Sequence, residues 1–265
     1  FDNKHMVRWK YLFIATRFAS TTVKDIRQKT SLNMAGDQIQ ENISVSIDKS
    51  SLSKSDCIQI QVIQLCDRDK VLDFLRSHYY QEEPLTIGSE PKEQDPEDEK
   101  FNMSQITHGT CLMALSGEYI VGVLISGPKS SNEAEHLFED AARFGPTKWG
   151  AALTILACAE RDSNVYKRYN IAKALHIHIL AVDAKLRGRA IGSRLIGEVK
   201  NLGRQLSYPL LTLDCTSYYS ARLCERLNMD CVNVIKYEDY LDEEGKPIFK
   251  PPPPHEFLKT FATIL

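Results

Sequence analysis

The stretch 174–194, ALHIHILAVDAKLRGRAIGSR, places two arginines and two glycines directly after an apolar run. Its first half is almost wholly apolar, as in a central strand that is covered on both faces. Its second half, RGRAIG, lies where a helix is expected to begin. A glycine-bearing turn at a helix N-terminus binds anions through backbone N–H groups, and arginines add positive charge. The stretch therefore predicts a strand, a phosphate-binding loop and a helix in succession.

Two acids and two histidines have side chains that can take up a proton. Glu82 and Glu83 stand before Pro84, where a predicted helix ends. Acids in such a place are usually surface charges, but a carboxylate at the end of a buried helix can have a raised pKa and act as a base. His176 and His178 lie two apart, on one face of the strand, either as proton acceptors or as histidines bonded within the sheet. The residues alone leave both kinds of general base open.

Two hydroxyl residues, Thr216 and Ser220, are four apart where a predicted strand passes into a helix. At that spacing both side chains project from one side of a helix. Capping of the helix explains one hydroxyl but not obviously both. We therefore expect both hydroxyls to face the same cavity.

The elements that must position these groups alternate between strands and helices. Apolar runs predict strands, and helical spacing behind N-cap residues such as Asp67 and Ser217 predicts helices. The predicted strands are 57–65, 111–115, 119–125, 174–182, 210–215, 231–236 and 257–265. The predicted helices are 70–80, 132–144, 149–169, 192–206 and 219–227. This order predicts a single α/β domain whose mixed central sheet of about seven strands, antiparallel at the front and parallel in the centre, is flanked by helices.

Composition excludes several classes of protein. The 33 basic and 35 acidic residues nearly cancel and form no long basic block, which argues against a nucleic-acid partner. No stretch approaches the roughly 20 apolar residues of a membrane span. The seven cysteines form no C-x-x-C pair and are expected to be reduced core thiols of a cytoplasmic protein. We expect a monomer that binds small molecules.

The chain has one locally basic segment, near its N-terminus, and one locally acidic segment, at 90–100. Residues 1–53 lack a sustained apolar period, and we expect a poorly ordered N-terminal extension followed by a folded domain at 54–265. Within it, 6–33 is rich in Lys, Arg, Ser and Thr, as in a transit peptide, which makes a mitochondrial location the minor alternative. The acidic, proline-bearing stretch 90–100 predicts a solvated, mobile loop.

The loop at 187–193 resembles the acyl-CoA motif of the GCN5-related N-acetyltransferases, (Gln/Arg)-x-x-Gly-x-(Gly/Ala). Arg187, Ala190 and Gly192 occupy its three fixed positions. Ala190 departs from the family's glycine, and we expect it to adopt helical geometry because alanine is small. The dinucleotide pattern G-x-G-x-x-G and the Gly-Lys-Ser/Thr of a Walker loop are absent from the sequence. The resemblance implies the fold of this family, acetyl-CoA as co-substrate and no metal.

Three further segments resemble the insect arylalkylamine N-acetyltransferases: YYQEEPL at 79–85, DCTSYYSAR at 214–222 and FKPPPPH at 249–255. The resemblance covers about 58–265. It implies transfer of acetyl from acetyl-CoA to a small arylalkylamine of the dopamine, serotonin, tyramine, octopamine or tryptamine type, in a ternary complex. Agmatine or polyamines, and longer acyl-CoAs, remain alternatives. A CoA-binding protein without turnover is a third hypothesis.

The resemblance also implies a role for each site residue. Glu83 is the general base, and Thr216 and Ser220 occupy the positions of two serines that orient it. His178 is the rival base, by similarity to paired histidines of the vertebrate enzymes. Groups implied for the thioester and pantetheine are the backbones of Leu180, Ala181 and Val182. Groups implied for the pyrophosphate are Arg187, Gly188, Arg189, Ala190, Gly192 and Ser193. The implied amine-binding residues are Tyr79, Pro84 and His255.

Overall fold

The computed structural model describes residues 58–92 and 94–265, which form one sheet with helices on both faces. The predicted extension at 1–53 lies outside the described residues. The strands are β1 (Ile58–Val62), β2 (Leu112–Ser116), β3 (Tyr119–Ser130), β4 (Lys173–Val182), β5 (Leu210–Cys215), β6 (Asp230–Lys236) and β7 (Phe257–Ile264). The helices are α1 (Arg68–His78), α2 (Pro84–Ile87), α3 (Pro96–Ser104), α4 (Glu133–Phe144), α5 (Lys148–Ser163), α6 (Val165–Tyr169), α7 (Ile191–Gln205) and α8 (Tyr218–Arg226).

The seven strands are ordered β1-β2-β3-β4-β5-β7-β6 across the sheet. Every neighbouring pair is antiparallel except β4 and β5, which are parallel. A parallel pair needs a crossover connection, and α7 provides it. The predicted single α/β domain, with its mixed sheet and its β2–β3 hairpin, is confirmed.

The central strand β4 is covered on both faces, as its continuous apolar sequence predicts. Leu175 and Ile177 pack on one face with Leu195 of α7. Ile179 and Ala181 belong to the core on the other face, beneath α1. Burial of a leucine or isoleucine side chain contributes about 1.5–3 kcal/mol, so these contacts fix β4 between the helical layers.

Strands β4 and β5 pair over only part of their length. Their register runs from Leu175 opposite Leu211 to Ile177 opposite Leu213, whereas β4 continues to Val182. Beyond Ile177 the edge of β4 that faces β5 has no ladder partner there. The sheet therefore opens at its centre, and strand backbone is left available beside the predicted phosphate loop.

The acidic stretch at 90–100 is not the loop that its composition predicts, because its second half begins helix α3. Asp95 caps this helix by accepting a hydrogen bond from the N–H of Glu97. Pro96 lies at the first helical position, where a missing N–H costs nothing. Acids in a first turn also interact favourably with the helix dipole. The charge run that suggested a solvated loop is thus a helix start.

Two other local predictions need correction. The single helix expected at 149–169 is two helices, because Asn164 has left-handed backbone (φ 47°) and ends α5. Asp67 does not cap α1 with its side chain; its carboxylate instead accepts from the N–H of Gln64 at 2.9 Å. Ser217 caps α8 as predicted. No helix in the part of the chain that the structure describes is long and apolar enough to cross a membrane.

Candidate active site

A cavity of about 90 Å³ lies where the sheet opens. Carboxyl groups, aromatic rings and a few basic side chains line it. The carboxyl groups are Glu83, Asp95, Asp98, Glu133 and Asp214. The rings are Tyr79, Phe101 and Trp149, and the basic or imidazole groups are Lys129, Lys148, His176 and His178. With five carboxyl groups and two ammonium groups, the lining suits a ligand that carries positive charge.

Glu83 is a buried carboxylate at the start of helix α2. Its side chain is the N-cap, and one oxygen, Oε2, accepts the backbone N–H of Thr86 at 2.6 Å. The other oxygen, Oε1, is buried and has no hydrogen-bond partner. Burial raises the pKa of Glu83, although the backbone N–H groups at the start of α2 and the nearby hydroxyl of Thr216 act against that rise. The group combines a raised pKa with one oxygen available to a ligand.

Asp98 is a second acid, partly buried, that lies close to Glu83. Burial, and then the charge of Glu83, raise the pKa of Asp98 to about 8. The side-chain amide of Asn102 donates a hydrogen bond to Asp98 and lies near the hydroxyl of Tyr80. Two carboxyl groups in one buried site cannot both ionise without a cation between them. This pair is therefore prepared for a positively charged ligand.

The paired histidines of β4 lie on one face, as predicted, with ring centroids 4.9 Å apart. His178 is the extra residue of a bulge, since Ile177 and Ile179 pair with the adjacent residues Ser126 and Ile125 of β3. Its Nε2 is buried without a hydrogen-bond partner. Burial, followed by the charge of Lys129, lowers the pKa of His178 well below its usual value. The imidazole is thus held neutral.

The structure separates the two hydroxyls expected to share a cavity. Thr216 lines the cavity, and its backbone carbonyl accepts a hydrogen bond from the hydroxyl of Tyr237 at 2.8 Å. Ser220 instead donates to the carbonyl of Ser217 at 3.0 Å, within the cap of α8. The reason is geometric: Thr216 lies before the extended N-cap residue Ser217 and outside α8, so the four-residue helical spacing does not apply to the pair. Only Thr216 of the two lies beside Glu83.

The three predicted amine-binding residues occupy different places. Tyr79 is beside Glu83 in the cavity, and burial together with the Glu83 charge raises the pKa of its hydroxyl. Pro84 is buried as the first residue of α2, where it helps to fix the Glu83 cap. His255 lies outside the cavity lining and accepts the backbone N–H of Tyr218 at 3.2 Å. His255 thus lies beside the first residue of α8.

The predicted phosphate loop ends at the N-terminus of α7, a helix of 15 residues. Ala190 is the N-cap, and its methyl group cannot cap, so the first N–H groups of the helix have no partner within it. Such a helix start fits an anionic group. Gly192 permits close packing, since a Cβ there would lie 3.2 Å from Leu223 and 3.7 Å from Leu180. These features fit the pyrophosphate of acyl-CoA.

Ala190 does not have the helical geometry expected of it. Its backbone is left-handed, with φ 59° and ψ 14°. A side chain in this region brings Cβ close to the following carbonyl, which costs roughly 1–2 kcal/mol and explains why glycine suits the position. The turn retains the geometry that a glycine would give, at the cost of strain in the chain.

Arg187 projects from the loop toward the acids that precede α2. Its guanidinium forms an ion pair with Glu82 at 2.6 Å, with both side chains about half exposed. Glu82 is thus the exposed partner of buried Glu83, as the sequence predicts for one of the two acids. The contact ties the phosphate loop to the segment that carries the candidate base.

A family model for acetyltransferases of the GNAT family matches residues 72–229. This match covers more than half of the chain, and it includes strands β2 to β5, Glu83 and the phosphate loop. The chain belongs to the GNAT acetyltransferase family.

Solved structures of insect amine acetyltransferases place it more narrowly in that family. A polyamine N-acetyltransferase of Drosophila melanogaster, which forms N-acetylagmatine, is 41% identical with a TM-score of 0.76. A mutant agmatine N-acetyltransferase in its apo form is 40% identical (TM-score 0.77), and a mosquito arylalkylamine N-acetyltransferase-like protein 5b is 35% identical (TM-score 0.75). Each comparison covers 79% of this chain and all of the other. The predicted family and the prediction of an amine-acetylating enzyme are confirmed.

Several cavity residues were not identified from the sequence. The acidic neighbours of Asp98 predict a loop, although the Asp-Pro pair at 95–96 is a helix-start signal. Asp214 stands inside a family-like segment but has no role implied by it. Lys129 lies past the predicted end of β3, which runs to Ser130 in the structure. No local pattern marks such residues, because separate strands and helices bring them together.

Proposed function

We propose that this acetyltransferase transfers acetyl from acetyl-CoA to the primary amine of a small arylalkylamine, in a ternary complex with Glu83 as general base. The observation that carries the proposal is the buried, unpartnered Oε1 of Glu83 in a cavity walled by aromatic rings. A protonated amine is attracted to that carboxylate, and the rings of Phe101 and Trp149, 5.9 Å apart, offer a surface for an aromatic substrate. Arylalkylamines such as dopamine, serotonin and tyramine combine a protonated amine with an aromatic ring.

Glu83 is a better base than His178 because their pKa values move in opposite directions. Burial raises the pKa of Glu83 toward the neutral range, which strengthens it as a proton acceptor. Burial lowers the pKa of His178, so its imidazole takes up a proton less readily. Thr216 supports Glu83 with its hydroxyl, while the position of Ser220 in the α8 cap assigns it a supporting role in that helix start.

Acetyl-CoA fits the opening of the sheet in this proposal. The unpaired edge of β4 at Leu180, Ala181 and Val182 provides backbone hydrogen bonds for the pantetheine and the thioester oxygen. The α7 N-terminus binds the pyrophosphate. Polarisation of the thioester carbonyl by a backbone N–H, together with removal of the amine proton by Glu83, prepares attack of the neutral amine. The residues proposed to bind the pyrophosphate are Arg187, Gly188, Arg189, Ala190, Gly192 and Ser193.

The assignment of the general base is tested by measuring release of the CoA thiol from acetyl-CoA with a panel of amines across a range of pH. Glu83→Gln keeps the shape of the side chain and is expected to lower kcat/KM by about 10²–10⁴-fold, the usual contribution of a general base. His178→Gln is the matched control, with an expected change of less than about tenfold. A Glu83→Gln enzyme with near-normal kcat/KM, alongside a large loss in His178→Gln, would reverse the assignment.

A second candidate substrate class, agmatine or a polyamine, is favoured by the acids in the cavity beyond Glu83. Asp98 lies near Glu83, and Asp95, Glu133 and Asp214 also line the cavity. A substrate with two cationic ends neutralises more of these carboxyl groups than a monoamine does. The two solved relatives whose names refer to agmatine or polyamine acetylation support this candidate.

Asp98→Asn distinguishes the two substrate classes. If a dication is the substrate, we expect kcat/KM for agmatine to fall at least tenfold while that for phenethylamine changes little. If an arylalkylamine is the substrate, wild-type enzyme prefers tyramine or dopamine to agmatine and the variant retains that preference. Steady-state kinetics with the same enzyme preparations measure both ratios.

A further inference from the structure

A row of polar side chains crosses the buried face of the sheet beneath the cavity. Lys129 of β3, His176 of β4, Asp214 of β5 and Thr260 of β7 are each no more than 6% exposed. Thr260 donates to Asp214 Oδ1 at 2.7 Å, and His176 Nδ1 lies 2.9 Å from the hydroxyl of Thr212. Buried charge is costly, and replacing it with apolar residues is often neutral or stabilising. A row of this kind in the centre of a sheet therefore calls for a function.

One oxygen in this row lacks a partner. Asp214 Oδ2 is buried and has no hydrogen bond, and its nearest histidine atom, His176 Nε2, is 3.7 Å away. The nearby ammonium group of Lys129 is bonded to Glu160 at 2.9 Å. The charge of Lys129 also acts on Asp214, but its ion pair is with Glu160. Asp214 thus lines the cavity and has an acceptor that the described residues leave unsatisfied.

The same cluster has the spacing of a metal site but already contains a cation. Glu160, His176 and Asp214 each place one ligand atom within 4.8 Å of the others. Lys129 is hydrogen-bonded to Glu160 at that place, and its charge raises the cost of adding a divalent ion. A hydrogen-bond donor that reaches Asp214 Oδ2 from the cavity needs only this one ligand atom and adds at most one positive charge. The geometry favours a hydrogen-bond donor over a metal.

Asp214 and the candidate base lie at different depths of one cavity. Thr216, which lies beside Glu83, is two residues after Asp214 on the same extended segment. Successive residues of a strand advance by about 3.3 Å, so the two levels are separated by roughly 7 Å. This separation is comparable to the distance from the amine to the opposite end of a phenethylamine. A substrate whose amine contacts Glu83 therefore brings its far end toward Asp214.

We propose that Asp214 binds a hydrogen-bond donor at the end of the substrate opposite the reacting amine. The donor is a phenolic hydroxyl in a tyramine-like amine or a guanidinium or second ammonium group in an agmatine-like one. The inference rests on the proposed function, because the amine end is placed by Glu83. It assigns to Asp214 a role in substrate specificity that is separate from proton transfer.

Two pairs of amines test this in the wild-type enzyme. Tyramine and phenethylamine differ only by the phenolic hydroxyl, and agmatine and pentylamine differ by the guanidinium group. A site with a buried acceptor discriminates strongly against an analogue that leaves it unpaired. We expect kcat/KM to be at least about tenfold higher for the donor-bearing member of one pair, and that pair identifies the donor. Equal values within both pairs overturn the proposal.

Asp214→Asn then locates the discrimination. We expect it to reduce kcat/KM for the preferred donor-bearing amine at least tenfold, mainly through KM, and to leave its donor-free analogue within about twofold. Asp230→Asn, an exposed acid on the neighbouring part of the sheet, is the matched control. Equal losses for both members of a pair would show a structural role and overturn the inference. If the variant does not fold, the wild-type ratios decide alone.

The proposed function and this inference fail in distinguishable ways. If Glu83→Gln loses turnover but the wild-type enzyme does not discriminate within either pair of amines, Glu83 remains the general base and the proposed role of Asp214 is overturned. Absence of turnover with every amine in wild type, despite acetyl-CoA binding, overturns the proposed function and the inference that rests on it. Discrimination that survives Asp214→Asn assigns the donor site to another residue and also overturns the inference.

Discussion

The ion pair of the phosphate loop is exposed to water, whereas the ion pair beside the amine cavity is buried. In the loop Arg187 is about half exposed and pairs with an equally exposed Glu82, while backbone N–H groups at α7 provide the directed contacts. In the cavity Lys129 and Glu160 form an ion pair at 2.9 Å whose side chains are only 5% and 6% exposed. Water screens the first pair and is excluded from the second.

This difference separates two kinds of recognition. An anionic cofactor held by several backbone groups and exposed cations is bound by many weak contacts. Loss of any one of these contacts changes the free energy only slightly. A small amine in a dry cavity is recognised by a few groups whose pKa values and hydrogen bonds depend on one another. We therefore expect substitutions in the cavity to have larger effects on folding than equivalent substitutions in the loop.

The largest effect is expected from breaking the buried ion pair. Lys129→Met leaves Glu160 without its buried ion-pair partner, and removing one member of a buried pair typically costs about 3–5 kcal/mol. The matched substitution in the loop, Arg187→Met, is expected to change the free energy of unfolding by less than about 1 kcal/mol. Urea denaturation of both variants measures the comparison.

A double variant gives this comparison a further control. Lys129→Met combined with Glu160→Leu removes both charges, and we expect it to recover part of the stability that Lys129→Met loses. Similar losses for Lys129→Met and Arg187→Met would contradict the distinction between the two regions. An equal loss in the double variant would assign the cost to packing of the lysine stem rather than to unpaired charge.

A smaller, pH-dependent effect is expected from Asp98. Its pKa is about 8 in the folded protein and about 3.9 in an unfolded chain, so between these values the native state holds a proton that the unfolded state has released. The free energy of unfolding therefore falls as pH rises from about 4 to 8. Asp98→Asn removes this dependence and is expected to be more stable than wild type at pH 8 by more than about 1 kcal/mol.

Unfolding at pH 5, 6.5 and 8 measures the Asp98 contribution as a slope. Asp95→Asn keeps an N-cap side chain on the same helix and tests whether any change belongs to Asp98 or to acidity of the helix start in general. A slope unchanged by Asp98→Asn would contradict the assignment of a raised pKa to this residue.

Much of the fold follows from local sequence because periodicity is a local property. The apolar run in β4, the amphipathic helix α7 and the hairpin of β2 and β3 are each specified within about 20 residues. The exceptions depend on backbone detail that periodicity does not contain. The bulge at His178 and the left-handed Asn164 are such details, and the helix α3 was obscured by its own charge.

The phosphate loop could be predicted for the same reason, since its groups are consecutive in the chain. The cavity could be predicted only in part, through Tyr79, Glu83, His176, His178 and Thr216, which belong to segments with a family resemblance. Asp98 and Asp214 come from elements more than 100 residues apart. Their ionisation depends on burial and on neighbouring charge, which only the folded arrangement determines.

The smallest expected effect concerns the loop and, unlike the loss expected for Lys129→Met, it is a stabilisation. Ala190 has φ 59°, a conformation that strains an alanine and suits a glycine. Ala190→Gly removes that strain but increases the entropy of the unfolded chain, so we expect a net stabilisation of no more than about 1 kcal/mol. If the N–H groups of α7 bind the pyrophosphate, the KM for acetyl-CoA should change by less than about threefold, because the cradle already has glycine-like geometry. Thermal unfolding and acetyl-CoA titration with a fixed amine measure the two quantities. A destabilised Ala190→Gly variant would show that the methyl group makes packing contacts that outweigh the backbone strain, and a large fall in KM would show that this methyl obstructs the cofactor.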